Sequence, residues 1–145
     1  MRARLLNQPD DDQLSTVLKD LLQNPEVSRF EALVAFAMSS GVQQLQQEME
    51  TLLSASGNIR IVVGVSRRVT SVEGLGLLLR LVEKGAAVFV FHNDNPDGPT
   101  FHPKLYLFQE PQRAILIVGS NNMTGKGLVG NYEMSLMLDL DLRNL

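Results

Sequence analysis

The sequence has no cysteine and only two histidines among its 145 residues. Without cysteine there can be no disulfide bond and no thiolate metal site, and a zinc site with two histidines would have to rely on carboxylates. Chemistry without a metal or another cofactor is therefore the simpler expectation.

Long hydrophobic runs are also missing. The first seven residues, MRARLLN, lack the apolar core of a signal peptide, and no window approaches the roughly 18 apolar residues of a membrane span. The sequence therefore indicates a protein that does not enter a membrane, and we expect a cytoplasmic location.

An excess of positive charge is absent too, since the formal net charge is −3. Binding to a polyanion would then need a local cluster of cations. Arg67 and Arg68 are candidates, because they follow an apolar run at 59–65 that predicts a parallel strand, and ligands bind at the carboxyl ends of such strands. We interpret them as phosphate contacts, with an ordinary solvated loop as the alternative.

The apolar residues that are present, 44% hydrophobic overall, can form the core of one domain, residues 1–145. The patterns of the first two thirds predict alternating elements: helices at 14–22, 39–53 and 71–84, and strands at 29–38, 59–65 and 87–91. Asp10, Asp11 and Asp12 are expected to cap the first helix. Such alternation is typical of an α/β fold with a mainly parallel sheet.

The last third has a different pattern. Three apolar runs, at 101–108, 114–118 and 131–140, predict strands with connections too short for crossover helices. These strands must pair largely antiparallel. We therefore predict a mixed, mainly parallel sheet with flanking helices, in which the C-terminal strands are partly antiparallel.

Polar residues stand out in this last third. His102 and Lys104 are two residues apart on a predicted strand, so both side chains leave the same face. The cluster at 119–122 supplies small polar groups that can hold an oxyanion. Glu133 lies among apolar residues, where a buried acid needs a partner, and His102 is the obvious one. The alternative is a solvated sheet edge without chemistry.

These residues together resemble the phospholipase D superfamily, whose signature is His-x-Lys followed by Gly-Ser-x-Asn. Here the match is His102-x-Lys104 and Gly119-Ser120-x-Asn122.

The continuation to Asn131-x-Glu133 resembles the metal-independent nuclease branch, which includes restriction endonucleases, more than the lipases. Lipase-type motifs place an Asp five residues after the lysine, and this chain has Gln109 there. In the nuclease branch a later Glu supplies the carboxylate, which is Glu133 here.

The resemblance implies a phosphodiesterase that acts on nucleic acid, most simply DNA. His102 would attack phosphorus and form a phosphohistidine. Lys104 and Asn122 would hold the phosphate oxygens, and Ser120 would donate to the same oxygens. Glu133 would accept from the far ring nitrogen of His102.

The chain carries one His-x-Lys unit, whereas the superfamily builds its site from two, so the resemblance also implies a homodimer with a shared site. Three alternatives stay open. The chain could act on lipid head groups, it could be a non-catalytic nucleic-acid-binding or dimerisation module, as Gln109 suggests, or it could belong to a larger protein with further domains beyond Leu145.

Overall fold

The computed structural model describes residues 1–10, 12–95 and 97–144. The strands that these residues form are Arg2–Gln8 (β1), Arg29–Val34 (β2), Asn58–Gly64 (β3), Ala87–Phe91 (β4), Lys104–Gln109 (β5), Arg113–Gly119 (β6) and Glu133–Asp141 (β7). The helices are Leu14–Leu22 (α1), Ser39–Ser54 (α2) and Val72–Glu83 (α3). Short helical turns lie at Ser66–Arg68, Lys126–Gly130 and Leu142–Asn144.

The strands form one sheet in the order β1-β7-β6-β5-β2-β3-β4. This confirms the predicted α/β fold with a mixed sheet, flanking helices and antiparallel C-terminal strands. The expected predominance of parallel pairing is wrong: β2, β3 and β4 pair in parallel, but the other four pairings are antiparallel. The reason is that β5 pairs antiparallel with β2, and that β1 adds a further antiparallel neighbour to β7.

The hydrophobic core lies between one face of the sheet and the three helices. Alternate residues of the central strand β2, Phe30, Ala32 and Val34, point into it and are fully buried. Leu18 of α1 and Leu45 of α2 pack in the same cluster. Truncating one such leucine to alanine is expected to cost about 2–5 kcal/mol.

The opposite face of the sheet is much more exposed. Leu5, Leu136 and Val118 lie side by side on β1, β7 and β6, and their exposed fractions are 56%, 43% and 44%. The helices therefore cover only one side of a sheet whose strands are apolar on both.

Strand β1 was not predicted, and the predicted capping of α1 by Asp10 and Asp12 is wrong. The residue before α1 is Gln13, and its side chain makes no capping hydrogen bond. Instead the side-chain oxygen of Gln8, at the end of β1, accepts a hydrogen bond of 3.0 Å from the amide of Leu14. Asp12 forms an ion pair with Arg4, Asp10 lies in the turn after β1, and Asp11 lies outside the described residues.

The strand predicted at 101–108 begins only at Lys104. Pro103 has no amide hydrogen to donate to a neighbouring strand. The chain still runs beside the end of β2, because the carbonyl of Pro103 accepts a hydrogen bond of 2.8 Å from the amide of Ala35.

Candidate active site

The mixed sheet brings the predicted site residues to one of its ends. The parallel strands β2 and β3 finish there, while β5 and β7 begin there, because they run antiparallel to their neighbours. In register, Val34 of β2 lies opposite Lys104 of β5, and Gly119 of β6 lies opposite Ser135 of β7. The segments that carry the motif thus lie side by side, although they are far apart in the chain.

Gly119 is needed for this close approach of β6 and β7. A Cβ atom at this position would lie 2.0 Å from the hydroxyl oxygen of Ser135 and 2.4 Å from the carbonyl oxygen of Met134. Both distances are far below van der Waals contact, so any larger residue would push the strands apart. The glycine of the Gly-Ser motif is therefore explained by packing.

His102 and Lys104 are in direct contact. The ammonium nitrogen of Lys104 lies 2.7 Å from Nδ1 and 3.0 Å from Nε2 of the imidazole, and it donates a hydrogen bond of 3.1 Å to the His102 carbonyl. Lys104 is buried, whereas His102 is exposed. The ring of Phe36 meets the imidazole edge-on, with 6.0 Å between centroids. The expected pairing of the two motif side chains is therefore present.

The surroundings favour the neutral imidazole. Partial desolvation lowers the pKa of His102 below its ordinary value, and the positive charges of Lys104 and Arg67 lower it further. Burial also lowers the pKa of Lys104, although the charge of Glu133 acts in the opposite direction. An unprotonated ring nitrogen at neutral pH is what a nucleophilic histidine requires.

Glu133 does not make the hydrogen bond to His102 that the sequence led us to expect. One of its carboxylate oxygens accepts from the hydroxyl of Ser120, and the other accepts from the side-chain amide of Asn131 at 3.2 Å. The reason is that the connection from β6 to β7 folds back on itself and places these two residues beside the carboxylate. Glu133 therefore acts on Lys104 by its charge rather than on His102 by contact.

This arrangement also changes what Ser120 can do. Its hydroxyl donates to Glu133 and accepts a hydrogen bond of 3.1 Å from the amide of Met134. The proton that was expected to go to a substrate oxygen is thus already used. In this structure Ser120 holds the carboxylate in position.

The two asparagines of the motif have different surroundings. Asn121 is buried and accepts a hydrogen bond from the Ser135 hydroxyl at 2.5 Å. Asn122 is only partly buried, and its side-chain oxygen accepts from the amide of Phe36 at 3.1 Å. No hydrogen bond from its amide group to another described residue is present, so this donor is free for a ligand.

Sequence reasoning missed the residues that hold the connection between β6 and β7 in place. The side-chain amide of Gln8 donates to the carbonyls of Gly127 and Asn131, both at 3.1 Å. The buried hydroxyl of Tyr106 donates to the carbonyl of Asn121 at 3.1 Å. Tyr106 lies in an apolar run that was predicted as a strand, but no sequence signal pointed to Gln8.

Arg67 and Arg68 lie near His102 but not equally near. Arg67 lines a cleft of about 400 Å³ together with His102. Arg68 lines a neighbouring cleft of about 520 Å³, to which Arg67 also contributes. Both arginines have positive φ angles, of 59° and 54°, a conformation that costs energy in residues other than glycine and that occurs often at ligand-binding sites.

The lipase-type acid position lies outside this site. Gln109 is the last residue of β5, at the opposite end from Lys104. The next residue, Glu110, is buried there and is held by the side-chain amide of Asn24 at 2.9 Å and by Arg113 at 3.4 Å. The replacement of the lipase aspartate by Gln109 therefore removes no group from the neighbourhood of His102.

Two further properties concern residues 1–10, 12–95 and 97–144. No three or more His, Asp or Glu side chains in these ranges are grouped so that they could hold a metal ion. None of the helices in the same ranges has the length and apolar character needed to cross a membrane.

Solved structures share this fold at low sequence identity. Nuc from Salmonella typhimurium, a phospholipase D family member, superposes with a TM-score of 0.70 at 11% identity, covering 99% of this chain and 86% of Nuc. Polyphosphate kinase from Porphyromonas gingivalis gives a TM-score of 0.68 at 16% identity, but this chain matches only 23% of it. Yeast tyrosyl-DNA phosphodiesterase gives 0.58 at 16% identity, with 97% of this chain and 32% of that protein covered.

The fold is therefore that of phospholipase D-type domains. At the level of sequence, residues 21–141 match the family described as the PLD-like domain of cardiolipin synthase. The match covers most of the chain, and the chain belongs to this family. No curated protein matches it by sequence.

Proposed function

We propose that the chain is a nuclease domain that hydrolyses phosphodiester bonds of nucleic acid, DNA in the first instance, without a metal ion. The observation that carries the proposal is the contact between the imidazole of His102 and the ammonium of Lys104, beside the further charge of Arg67. Among the described residues none of Lys104, Arg67 and Arg68 forms an ion pair with a carboxylate. A phosphate would supply the missing negative charge.

The reaction begins with attack of an unprotonated ring nitrogen of His102 on phosphorus. An N–P bond forms, the bond from phosphorus to the leaving oxygen breaks, and that oxygen takes a proton from an acid. Lys104 and the free amide of Asn122 stabilise the charge on the remaining phosphate oxygens. Water then attacks phosphorus, gives up a proton to the same acid, now a base, and the N–P bond breaks.

The acid is His102 of a second copy of the chain. The described residues contain one other histidine, His92, and its contact is an ion pair of 3.1 Å with Asp94. Two copies related by a two-fold axis would bring two His-x-Lys units to one phosphate. The proposal keeps the cytoplasmic location expected from the sequence, which cell fractionation would test.

Trapping the covalent intermediate tests the proposal. DNA with labelled internal phosphates is incubated with the protein in excess EDTA and quenched in alkaline denaturant, because the N–P bond is labile in acid. We expect label on the wild-type protein and on the matched control His92→Ala, and none on His102→Ala. Label lost from His92→Ala, or turnover without any label on wild type, would contradict the mechanism.

Phosphodiester chemistry on lipid is the second candidate. It is favoured by exposed apolar side chains next to the site, Tyr132 at 85% and Met134 at 54%, and by the description of the family that the chain matches. Turnover of phosphatidylcholine vesicles together with inertness toward DNA would establish it. A non-catalytic module would bind DNA but give neither turnover nor label.

A further inference from the structure

We propose that the 400 Å³ cleft beside His102 receives one unpaired nucleobase next to the scissile phosphate, so that single-stranded nucleic acid is the substrate class. The inference rests on the proposed function. It concerns four residues that line the cleft together with His102, namely Phe36, Arg67, Val69 and Thr100.

We call this 400 Å³ cleft the base cleft, and the chemistry of its walls is the first argument. Its lining includes an aromatic residue and a valine beside a threonine and an arginine, and most of the lining surface is apolar. Its volume falls within the range of about 300–1,000 Å³ that is typical of ligand sites. A phosphate group gains nothing from such walls, and its charge is met by Lys104 and Arg67. The apolar part must therefore contact an uncharged part of the substrate.

In nucleic acid the uncharged, flat part is the base. The ring of Phe36 and the planar guanidinium of Arg67 are the two kinds of surface on which bases stack. Phe36 is also fixed in place, since its backbone amide donates to Asn122 at 3.1 Å and its ring contacts His102. A base on Phe36 would therefore belong to a nucleotide directly beside the attacked phosphorus.

A paired base cannot reach this position without leaving the helix. Extruding a nucleotide from a duplex requires free energy, because its stacking and its base pair are both lost. In a single strand no base pair has to be broken, so the free energy required is smaller. The base cleft therefore favours single strands through the position of its opening next to the nucleophile, without any contact that reads sequence.

The neighbouring cleft of about 520 Å³ would extend the binding surface for the strand beyond the base cleft. It shares Arg67 and Thr100 with the base cleft and adds polar groups from Ser66, Arg68 and Asn93. These groups suit a sugar-phosphate backbone. The loop that carries both arginines is held by Thr70, whose hydroxyl donates to the Gly64 carbonyl at 2.6 Å and accepts from the Ala37 amide at 3.2 Å.

The test compares kcat/KM of the wild-type protein on a single-stranded oligonucleotide, the same strand built from abasic nucleotides, and the paired duplex. We expect the abasic strand to be cleaved more slowly by about 5- to 150-fold, the equivalent of one stacked base, and the duplex to be slower than the single strand. Equal rates on normal and abasic strands, or on duplex and single strand, would overturn the base cleft while leaving the proposed function intact.

Two variants sharpen the test. Val69→Trp fills the base cleft, whereas Val72→Trp makes the same change three residues away at a position that is 81% exposed and outside the cleft. We expect Val69→Trp to lose the preference for the normal over the abasic strand and Val72→Trp to keep it. An unchanged preference in both variants would overturn the proposal, and if Val69→Trp does not fold, the wild-type substrate series decides.

Failure of the proposed function would give a different result from failure of the base cleft alone. In that case none of the three strands is cleaved and no label appears on His102. Turnover of phosphatidylcholine vesicles in the same preparation would then assign the apolar walls to a lipid and overturn both proposals.

Discussion

The two ends of the sheet carry similar charged side chains but pair them differently. At the end away from His102, Arg113 donates to Asp139 at 2.8 and 3.0 Å, and Arg143 donates to Asp141 at 2.6 Å. At the His102 end, Lys104 and the two arginines of the Ser66–Arg68 turn have no ion-pair partner among the described residues. The arginines are paired within the chain at one end, whereas at the other end the three cations are offset only by the more distant charge of Glu133.

The pKa shifts show the same contrast. At the far end, the hydrogen bond from Arg113 lowers the pKa of Asp139, and that from Arg143 lowers the pKa of Asp141 to about 2. These contacts favour the charged forms. At the site, desolvation lowers the pKa of His102 and of Lys104 and thus disfavours their charged forms. An anion that binds at the site would relieve this cost.

Cleft size does not separate the two ends. A cleft of about 750 Å³ lies at the far end and is lined by Arg113, Asp139, Asp141 and Arg143, among others. It is larger than either cleft near His102, yet Arg113, Asp139, Asp141 and Arg143 in its lining are already paired with one another or with Glu110. Cations without an ion-pair partner, rather than cleft volume, therefore distinguish the end that carries His102.

The largest effect is expected from exchanging the cation at each end for methionine. Lys104→Met should lower kcat by about 10²-fold or more, because a donor to the phosphate is lost. It should also raise the free energy of unfolding, since a buried cation that has no ion-pair partner, only the more distant charge of Glu133, is replaced by an apolar chain. Arg113→Met should keep turnover and lose about 1 kcal/mol of stability, because its pair with Asp139 is partly exposed and the buried Glu110 keeps its hydrogen bond from Asn24.

Steady-state kinetics and urea denaturation of both variants measure this contrast. Near-normal turnover of Lys104→Met would mean that the phosphate is held elsewhere, for which Arg67 and Arg68 are the candidates. Equal loss of stability in both variants would remove the contrast between the ends.

A fourfold effect is expected when subunits are mixed. If one active site needs His102 from two copies, equal amounts of wild-type and His102→Ala chains with random pairing should retain about a quarter of the wild-type activity. Tagged subunits report exchange, and Arg113→Met chains serve as the control that causes no loss. Half of the activity would indicate two independent sites, as would a catalytically active monomer in light scattering.

A smaller effect is expected in the pH profile. The attacking imidazole must be unprotonated, so kcat/KM should fall as the pH drops through the pKa of His102, which lies below the ordinary 6.5. Because the His102 of the second copy must be protonated, kcat/KM should fall again at higher pH. Arg67→Gln removes one of the charges that lower this pKa, and the acidic limb should move to higher pH by less than about one unit. Arg143→Gln at the far end should leave the limb unmoved. A limb that is identical in Arg67→Gln and wild type would show that His102 does not control it.

No effect is expected from chelation. Turnover should be the same in excess EDTA as in buffer, since the proposed steps use only nitrogen donors, an amide and water. The measurement is the rate on labelled DNA before and after dialysis against EDTA. Activity that returns only with Mg²⁺ or Mn²⁺ would replace the histidine mechanism with a metal-assisted one.

Much of the fold could be predicted from the chain itself. The apolar runs predicted strands β2 to β7, because strands that contribute to a buried sheet must be apolar. Strand β1 could not be predicted, since Arg2 and Arg4 interrupt its apolar residues and its place depends on the free edge of β7. The cap of α1 was wrong for a similar reason: Gln8 reaches Leu14 only after β1 has joined the sheet.

The site was predicted in part. The spacing of His102 and Lys104 was sufficient for their contact, because a two-residue step along an extended chain returns to the same side. The partner of Glu133 was not predictable, since it depends on the path of the connection that carries Ser120 and Asn131. The base cleft had no sequence signal at all, as Phe36, Val69 and Thr100 come from three separate connections.

The pairing of β1 with β7 has a consequence for the order of events during synthesis. Residues 2–8 are synthesised long before residues 133–141, yet they are neighbours in the sheet. The side chain of Gln8 also donates hydrogen bonds to the carbonyls of Gly127 and Asn131, in the connection that leads to Glu133. Contacts between such distant segments form late. A nascent chain that still lacks β7 therefore cannot hold the connection between β6 and β7 in place, and the candidate site would form only after β7 has been made.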